Sequence, residues 1–313
     1  MIRALIAIQG RLANDMTHAI DETDMSGDKG LCVETVRRFE HDTGGIDWYC
    51  EQRGEGPPVV LVPSGEGDCA SFEEVAAHLA NDFTVLTFDM PGFSRSHVRS
   101  PDDVSVTKLA DQIADLVESL KLCPATFYGC SSGGFAVLDL VVRRPNVVQT
   151  AIVHEVADAA AAAPLLSLTA LDDAAIVETC KFVYGQIMND DLAAWEALGD
   201  EYHARLAKNY VTWVRRYLAP PLPPSHSPDD LAGKPITWTV GGVTPAASFF
   251  ENVVLAVKSG LPISLLMCKH FPQVSAPAML AEHIRNNSLS PTKSSRHSRG
   301  DDCKRTSVSR YHL

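Results

Sequence analysis

Gly129-Cys130-Ser131-Ser132-Gly133 is the stretch on which the reading of this chain turns. It follows a short apolar run, Ala125 to Tyr128, and leads into a helix-like run, Phe135 to Val142. A serine flanked by small residues at an abrupt strand-to-helix turn is a nucleophile elbow. The serine must sit on strained backbone, and a side chain at either flanking glycine would strike neighbouring backbone. The elbow implies a serine hydrolase if a base, an acid and an oxyanion hole can be found elsewhere in the chain.

Working outward, strands and helices alternate. Val36–His41 and Ile46–Cys50 read as a hairpin joined by Asp42-Thr43-Gly44-Gly45. Val59–Val62 is a short, wholly apolar strand and Thr84–Phe88 another buried strand, separated by a helix over 71–80 with Ser71 as its N-cap. A helix over about 104–121 carries Val106, Leu109, Ile113, Leu116 and Leu120 on one stripe. The elbow strand and helix follow, then the strand Ala151–Val153. This alternation predicts a doubly wound, mostly parallel α/β sheet. It stops after Glu155. Residues 157–232 read as helices without strands, ending in Pro220-Pro221-Leu222-Pro223-Pro224, and are expected to form an inserted helical cap. Strands resume at Ile236–Val240 and Ile263–Met267, and a helix over about 276–286 closes the domain. The expected organisation is a core of 34–156 and 233–287, the cap between its two parts, a poorly ordered leader over 1–33 and a Ser-, Arg- and Lys-rich disordered tail over 288–313.

Composition narrows the function classes. A formal net charge of −12 argues against nucleic acid as a partner. No run approaches the roughly 18 apolar residues that a membrane span needs, so no membrane is expected. The start, Met1–Ile8, reads as untargeted. The eight cysteines form no Cys-x-x-Cys pair and none has a histidine at zinc-finger spacing. Reduced thiols and a cytoplasmic location follow as expectations, with no metal site.

Ser131 needs a base and the base an orienting acid. In a doubly wound sheet both belong beyond the carboxyl ends of strands. His270, after the last strand in Cys268-Lys269-His270-Phe271-Pro272, is the candidate base. His154 and His203 compete less well: adjacent strand residues alternate, so His154 should point away from Glu155, and His203 lies on a cap helix. The loop after Val240, Gly241-Gly242-Val243-Thr244-Pro245-Ala246-Ala247, holds no carboxylate. Glu155, at the end of the preceding strand, is then the candidate acid; its alternative role is to cap the following helix. Asp89 also ends a strand, but reads as a structural acceptor for backbone N–H groups in its own loop. One oxyanion donor should be the N–H of Ser132. The other should come from Pro63-Ser64-Gly65-Glu66-Gly67, with Gly65 chosen and Ser64 the alternative. Cys130 should face the core.

Beyond these residues the chain resembles the fungal zearalenone-hydrolysing lactonases of the α/β-hydrolase fold. The resemblance runs from about Gly45 to Arg285. It is carried by Ile46-Asp47-Trp48-Tyr49, Thr87-Phe88-Asp89-Met90-Pro91-Gly92, the elbow, His154-Glu155, His270-Phe271-Pro272 and, in the cap, Ala194–Glu201 and His203–Leu206. It implies a Ser131, Glu155, His270 triad with the N–H groups of Gly65 and Ser132 as oxyanion donors. It also implies substrate contact by Trp195 from the cap, a macrocyclic lactone substrate whose opened acid then loses carbon dioxide, and no metal or organic cofactor. Ser64 stands where the family has aspartate, which makes it a candidate substrate contact. A homodimer is compatible with this picture. Two other readings fit the same residues: an esterase or lactonase for another metabolite, and a hydrolase fold kept as a ligand receptor with little turnover.

Overall fold

The run Ala125–Cys130 is buried along its whole length. A strand that hides both faces must have neighbours on each side and helices above and below. The computed structural model, which describes residues 35–221, 226–245 and 247–288, shows this arrangement. In chain order the strands are β1 (Arg37–Thr43), β2 (Ile46–Arg53), β3 (Pro58–Val62), β4 (Thr84–Phe88), β5 (His97–Val98), β6 (Ala125–Cys130), β7 (Val148–His154), β8 (Ile236–Gly241) and β9 (Ile263–Leu266). They form one sheet in the order β1-β2-β4-β3-β6-β7-β8-β9, with β5 paired to β2. β1, β2 and β5 pair antiparallel, as does β2 with β4; every pairing from β4 through β9 is parallel. β6 lies between β3 and β7, so the elbow leaves the centre of the sheet.

The period-two alternation of β3 sorts side chains to opposite faces. Val60 and Val62 pack with α2 (Val106–Ser119) and α3 (Ser131–Arg143), while Val59 and Leu61 pack with α1 (Glu73–Leu79) and a C-terminal helix, Pro277–Asn287. The stripe Val106, Leu109, Ile113 and Leu116 is buried as its spacing requires, and Ser105 caps its start by accepting from the Thr107 N–H. The start of α1 departs from the sequence expectation. Ser71 does not cap it: a 3-10 turn over Cys69–Phe72 precedes the helix, and Asp68 caps that turn through the Ala70 N–H. Ser71 instead turns its hydroxyl to Glu66 and the Asp68 carbonyl. β5, two residues long, is too short to leave a pattern in the sequence.

Between β7 and β8 the described residues carry helices and no strand, including α4 (Asp173–Phe182), α5 (Leu192–Glu196) and α6 (Asp200–Trp213). Two of these helices run into π-helical turns, Val183–Ile187 and Val214–Leu218. The expected leader, the tail beyond 288 and most of the proline run (222–225) lie outside the described residues. The six described cysteines are free thiols. No helix among the described residues is long and apolar enough to cross a membrane.

Where the chain leaves β7, its backbone is satisfied by one side chain. Asn252, on α7 (Phe250–Lys258), accepts from the Val156 N–H at 2.7 Å and the Trp238 Nε1–H at 3.2 Å, and donates to the Val156 carbonyl at 3.1 Å and to Asp158 at 3.2 Å. Asn252 is 2% exposed, so all four capacities of its amide are used inside the protein. Asn252→Ala strands several buried polar groups and is expected to cost about 3 kcal/mol in urea unfolding. A loss below about 1 kcal/mol would show that water takes over these bonds.

Candidate active site

Ser131 opens α3 with φ +54°, the left-handed backbone that the elbow demands. The flanking glycines are sterically required. A Cβ at Gly129 would lie 2.5 Å from the Gly133 carbonyl oxygen, and one at Gly133 would lie 2.3 Å from the Pro63 carbonyl oxygen. Cys130 faces inward as expected, but it has a role that the sequence does not suggest: its S–H donates to the His270 carbonyl at 3.0 Å.

His270 and Glu155 meet. The His270 Nδ1–H donates to Glu155 Oε2 at 2.7 Å, with Glu155 fully buried and His270 4% exposed. The second carboxylate oxygen, Oε1, accepts the Gly241 N–H at 2.8 Å. Glu155 therefore reaches His270 from one strand over. The loop after β8 supplies a backbone donor where it lacks a carboxylate. Glu155 has φ +42°, which turns its side chain off the line of β7. Burial alone would raise its pKa; the hydrogen bond and charge of His270 more than offset this and hold it at about 2. The imidazole is fixed further by its backbone N–H, which donates to the Met188 carbonyl at 3.0 Å, and by Phe249, stacked at 5.2 Å and 11°. Neither Met188 nor Phe249 stands out in the sequence, because neither residue type signals chemistry.

His154 does not point away from Glu155. Its Nε2 lies 3.9 Å from Glu155 Oε2, since the left-handed turn at Glu155 breaks strand alternation. It is nonetheless fully buried and committed elsewhere. Nε2–H donates to the Lys269 carbonyl at 3.2 Å, and Nδ1 lies 3.0 Å from the Thr239 hydroxyl. His203 braces the helical segment through the Trp195 carbonyl at 3.0 Å. Asp89 is structural, accepting the Cys69 and Arg95 N–H groups and the Arg95 guanidinium.

A cavity of about 730 Å³, counting its open mouth, has Ser131, Ser132, His270 and Ser64 on its wall. The rest of the wall is largely apolar and aromatic, including Phe249, Phe271, Tyr184, Trp213 and Tyr217. Three expected site residues lie off this wall: Glu155, buried behind His270, Gly65 and Trp195. Gly65 sits behind it, where a Cβ would be 2.6 Å from Trp213 Nε1 and 2.8 Å from the Tyr184 hydroxyl. Trp195 stacks on the far side of Phe271, centroids 5.8 Å apart, and against Tyr202. The tryptophan at the wall is Trp213, and its helical-period neighbour Tyr217 joins it. Both belong to a run of aromatic residues at helical spacing, Tyr202, Tyr210, Trp213 and Tyr217, but spacing alone does not tell which end of such a stripe meets a cavity. Among the described residues no group of three or more His, Cys, Asp or Glu side chains is placed to hold a metal.

The helical segment is tied to the core by charge. Asp68, fully buried, accepts from Arg205 of α6 at 2.6 Å, from Arg95 at 3.3 Å and from the Ser94 hydroxyl at 2.6 Å. Asn209 of the same helix donates to the Glu66 carbonyl at 2.7 Å and accepts the Ser94 N–H at 2.9 Å.

Residues 57–177 match the family model described as alpha/beta hydrolase fold. Over 252 residues the chain is 41% identical to the zearalenone hydrolase of Bionectria ochroleuca, covering 77% of this chain and 93% of that protein. Over 259 residues it is 40% identical to the zearalenone hydrolase of Cladophialophora bantiana, covering 81% and 97%. The crystal structure of the enol-lactonase from Burkholderia xenovorans superposes with a TM-score of 0.62 at 17% identity, over 79% of this chain and 98% of that one. At that identity the likeness is one of fold.

The burial of His154 has a measurable consequence. Desolvation, the largest effect, lowers its pKa from 6.5 to about 4. Between those values the unfolded chain binds the proton and the folded one does not, so stability falls as pH drops through that window. The expected loss attributable to His154 is about 3 kcal/mol between pH 7 and pH 4. Glu155 has its pKa lowered from 4.5, so its own loss begins only below that. Urea unfolding of His154→Gln across this range should show a correspondingly shallower pH slope than the parent; parallel slopes would rule the assignment out.

Proposed function

The chain belongs to the zearalenone hydrolase family, built on the α/β-hydrolase fold, and on that premise we propose that it opens the ester of a resorcylic-acid macrolactone such as zearalenone through an acyl-enzyme on Ser131. The observation that carries the reading is the buried 2.7 Å hydrogen bond between His270 and Glu155, with His270 on the wall of the cavity that Ser131 also lines.

Each group has one task. Glu155 holds Nδ1–H and so leaves Nε2 as the basic nitrogen. Nε2 takes the Ser131 proton while Oγ bonds to the lactone carbonyl carbon and the π pair moves to oxygen. A low, fixed carboxylate at Nδ1 stabilises the imidazolium that forms. The oxyanion is met by the Ser132 N–H, which lies at the N-terminus of α3 where backbone donors are unpaired, and by a second donor from the loop 63–67. When the tetrahedral centre collapses, the C–O bond to the alkoxide breaks and His270 returns the proton to it. Because the substrate is a ring, the freed alcohol stays attached to the acyl group. Water then attacks with His270 as base, and Ser131 leaves as the hydroxy acid is released.

The aromatic wall suits this substrate class. Tyr184, Trp213, Tyr217, Phe249 and Phe271 offer flat apolar faces to an aromatic ring fused to an aliphatic macrocycle. The helices over 157–232 would act as the cap that closes over it, and their attachment through Arg205 and Asn209 keeps that wall in register with the elbow.

Purified protein is expected to consume zearalenone, followed by chromatography of the intact lactone. Ser131→Ala should cut turnover by about 10⁴-fold or more, and Glu155→Gln by about 10²–10⁴-fold with the fold retained. A Ser131→Ala protein as active as the parent would remove the nucleophile assignment; an active Glu155→Gln would remove the acid.

A further inference from the structure

The loop that should supply the second oxyanion donor has an unexpected internal bond. The Gly65 N–H donates to the hydroxyl of the preceding residue, Ser64 Oγ, at 2.6 Å. An amide committed in this way is not aimed at a substrate, and Gly65 lies off the cavity wall while Ser64 is on it with Ser131, Ser132 and His270. Ser64 is 1% exposed, so its hydroxyl hydrogen has only the cavity and its immediate neighbours to bond.

Glu66 is one of those neighbours. It is a glutamate 1% exposed, two residues on, and no ion pair to it forms among the described residues. Its Oε1 takes a 3.3 Å bond from Ser71, and its Oε2 has no hydrogen-bond partner among the described residues. Burial, the largest influence, raises the pKa of this carboxyl and outweighs the backbone N–H groups of Glu66 and Ser64, the Ser64 hydroxyl and the charge of His270, which act the other way. The loop is held rigidly: the Gly67 N–H bonds the Ser64 carbonyl at 3.0 Å, the Met90 N–H bonds the Gly67 carbonyl at 2.9 Å, and Asn209 bonds the Glu66 carbonyl. A buried carboxyl beside the place where negative charge develops is tolerable only as a neutral donor, because a carboxylate would both repel the oxyanion and draw the serine hydrogen away from it.

We propose that the second oxyanion donor in this protein is the Ser64 hydroxyl, held by the Gly65 N–H and backed by the Glu66 carboxyl. A hydroxyl oxygen accepts two hydrogen bonds and gives one. Here it accepts from Gly65, keeps a second lone pair free for the acid hydrogen on the unpartnered Oε2 of Glu66, and gives to the oxyanion. Each bond polarises the next. Ser64 then touches the reacting atoms, and Glu66 is a positioning residue acting through it. This rests on Ser131 being the nucleophile and not on the identity of the lactone.

A fluorophosphonate probe tests it without assuming a substrate. Ser131 Oγ forms a bond to phosphorus, the P–F bond breaks, fluoride leaves and His270 takes the proton. The phosphoryl oxygen gains charge in the oxyanion hole on the way. Labelling of Ser131 is followed by intact mass, beside kcat and KM for zearalenone. Ser64→Ala and Ser64→Cys, the second filling the same space with a weak donor, should each slow labelling and lower kcat by about 10²-fold, with KM within about threefold of the parent. Glu66→Leu should lower both rates by about fivefold, and Glu66→Gln, which keeps a donor, by less. If Ser64→Ala frees the Gly65 N–H and reacts as fast as the parent, Gly65 is the donor and the proposal fails. A rise in KM with unchanged kcat overturns it as well, since the contact would then be ordinary binding. If the parent labels at Ser131 and Ser64→Ala is slowed while zearalenone is untouched, the donor stands and the substrate reading falls. If Ser131 of the parent is never labelled, both fall. Should the alanine variant not fold, the cysteine variant separates the same outcomes.

Discussion

One buried ion organises this site. Glu155 is a carboxylate with no exposed surface, and a charge without water must be met by hydrogen bonds on every side. Its two oxygens are met from different strands' ends, by His270 beyond β9 and by the Gly241 N–H at the end of β8, while its own backbone hangs from β7. Three consecutive strand ends are thereby pinned to one group. The pinning depends on the strand order: only because β7, β8 and β9 are neighbours in the sheet can a side chain from the first reach a backbone of the second and an imidazole after the third. The positive φ at Glu155 is the local strain that this reach requires.

The helical segment depends on the same centre from above. The Met188 carbonyl, just after a π-helical turn, accepts the backbone N–H of His270, and the Lys269 N–H bonds Asp190. The second π turn carries Tyr217 onto the cavity wall. A widened turn shifts the residues after it relative to the regular 3.6-residue stripe. It falls here where aromatic side chains line the cavity. The Asp68 network then fixes the segment's other side, with Arg205 and Arg95 sharing one buried carboxylate.

The serine and the imidazole are legible in the sequence because each carries a local signature: small residues around a strand-to-helix turn, and a histidine after the last strand. Glu155 is legible by exclusion, since the loop after β8 has no carboxylate to offer. What exclusion cannot show is that Gly241 replaces that carboxylate with an N–H, because the bond depends on adjacency of β7 and β8 rather than on either strand's residues. Trp195 and Trp213 show the same limit. Both lie in helices rich in aromatic residues, and both are buried. Which one meets the cavity is set by how the helices pack on Phe271, a tertiary fact. Ser71 departs from expectation for a more local reason: Asp68 reaches the free N–H groups first and starts a 3-10 turn ahead of the helix. The use of Ser71 on Glu66 has no sequence signal at all.

Two glutamates stand within reach of His270's field, and the protein treats them oppositely. Glu155 has a direct hydrogen bond from the imidazole and a backbone donor, so its charge is more stable inside the protein than its burial alone would allow. Glu66 has burial as its largest influence, which outweighs the nearby backbone N–H groups, the Ser64 hydroxyl and His270 and raises its pKa. Pushing two nearby carboxyls in opposite directions is how a single site can hold an orienting anion beside a carboxyl that keeps its proton more readily. The two roles cannot be exchanged. In the proposed mechanism, a neutral acid at Glu155 would leave the imidazolium without its counter-charge, and an anion at Glu66 would oppose the charge developing at the oxyanion. The opposite environments of these two side chains follow from their partners: both Glu155 oxygens take short N–H bonds, whereas Glu66 Oε2 has no hydrogen-bond partner among the described residues.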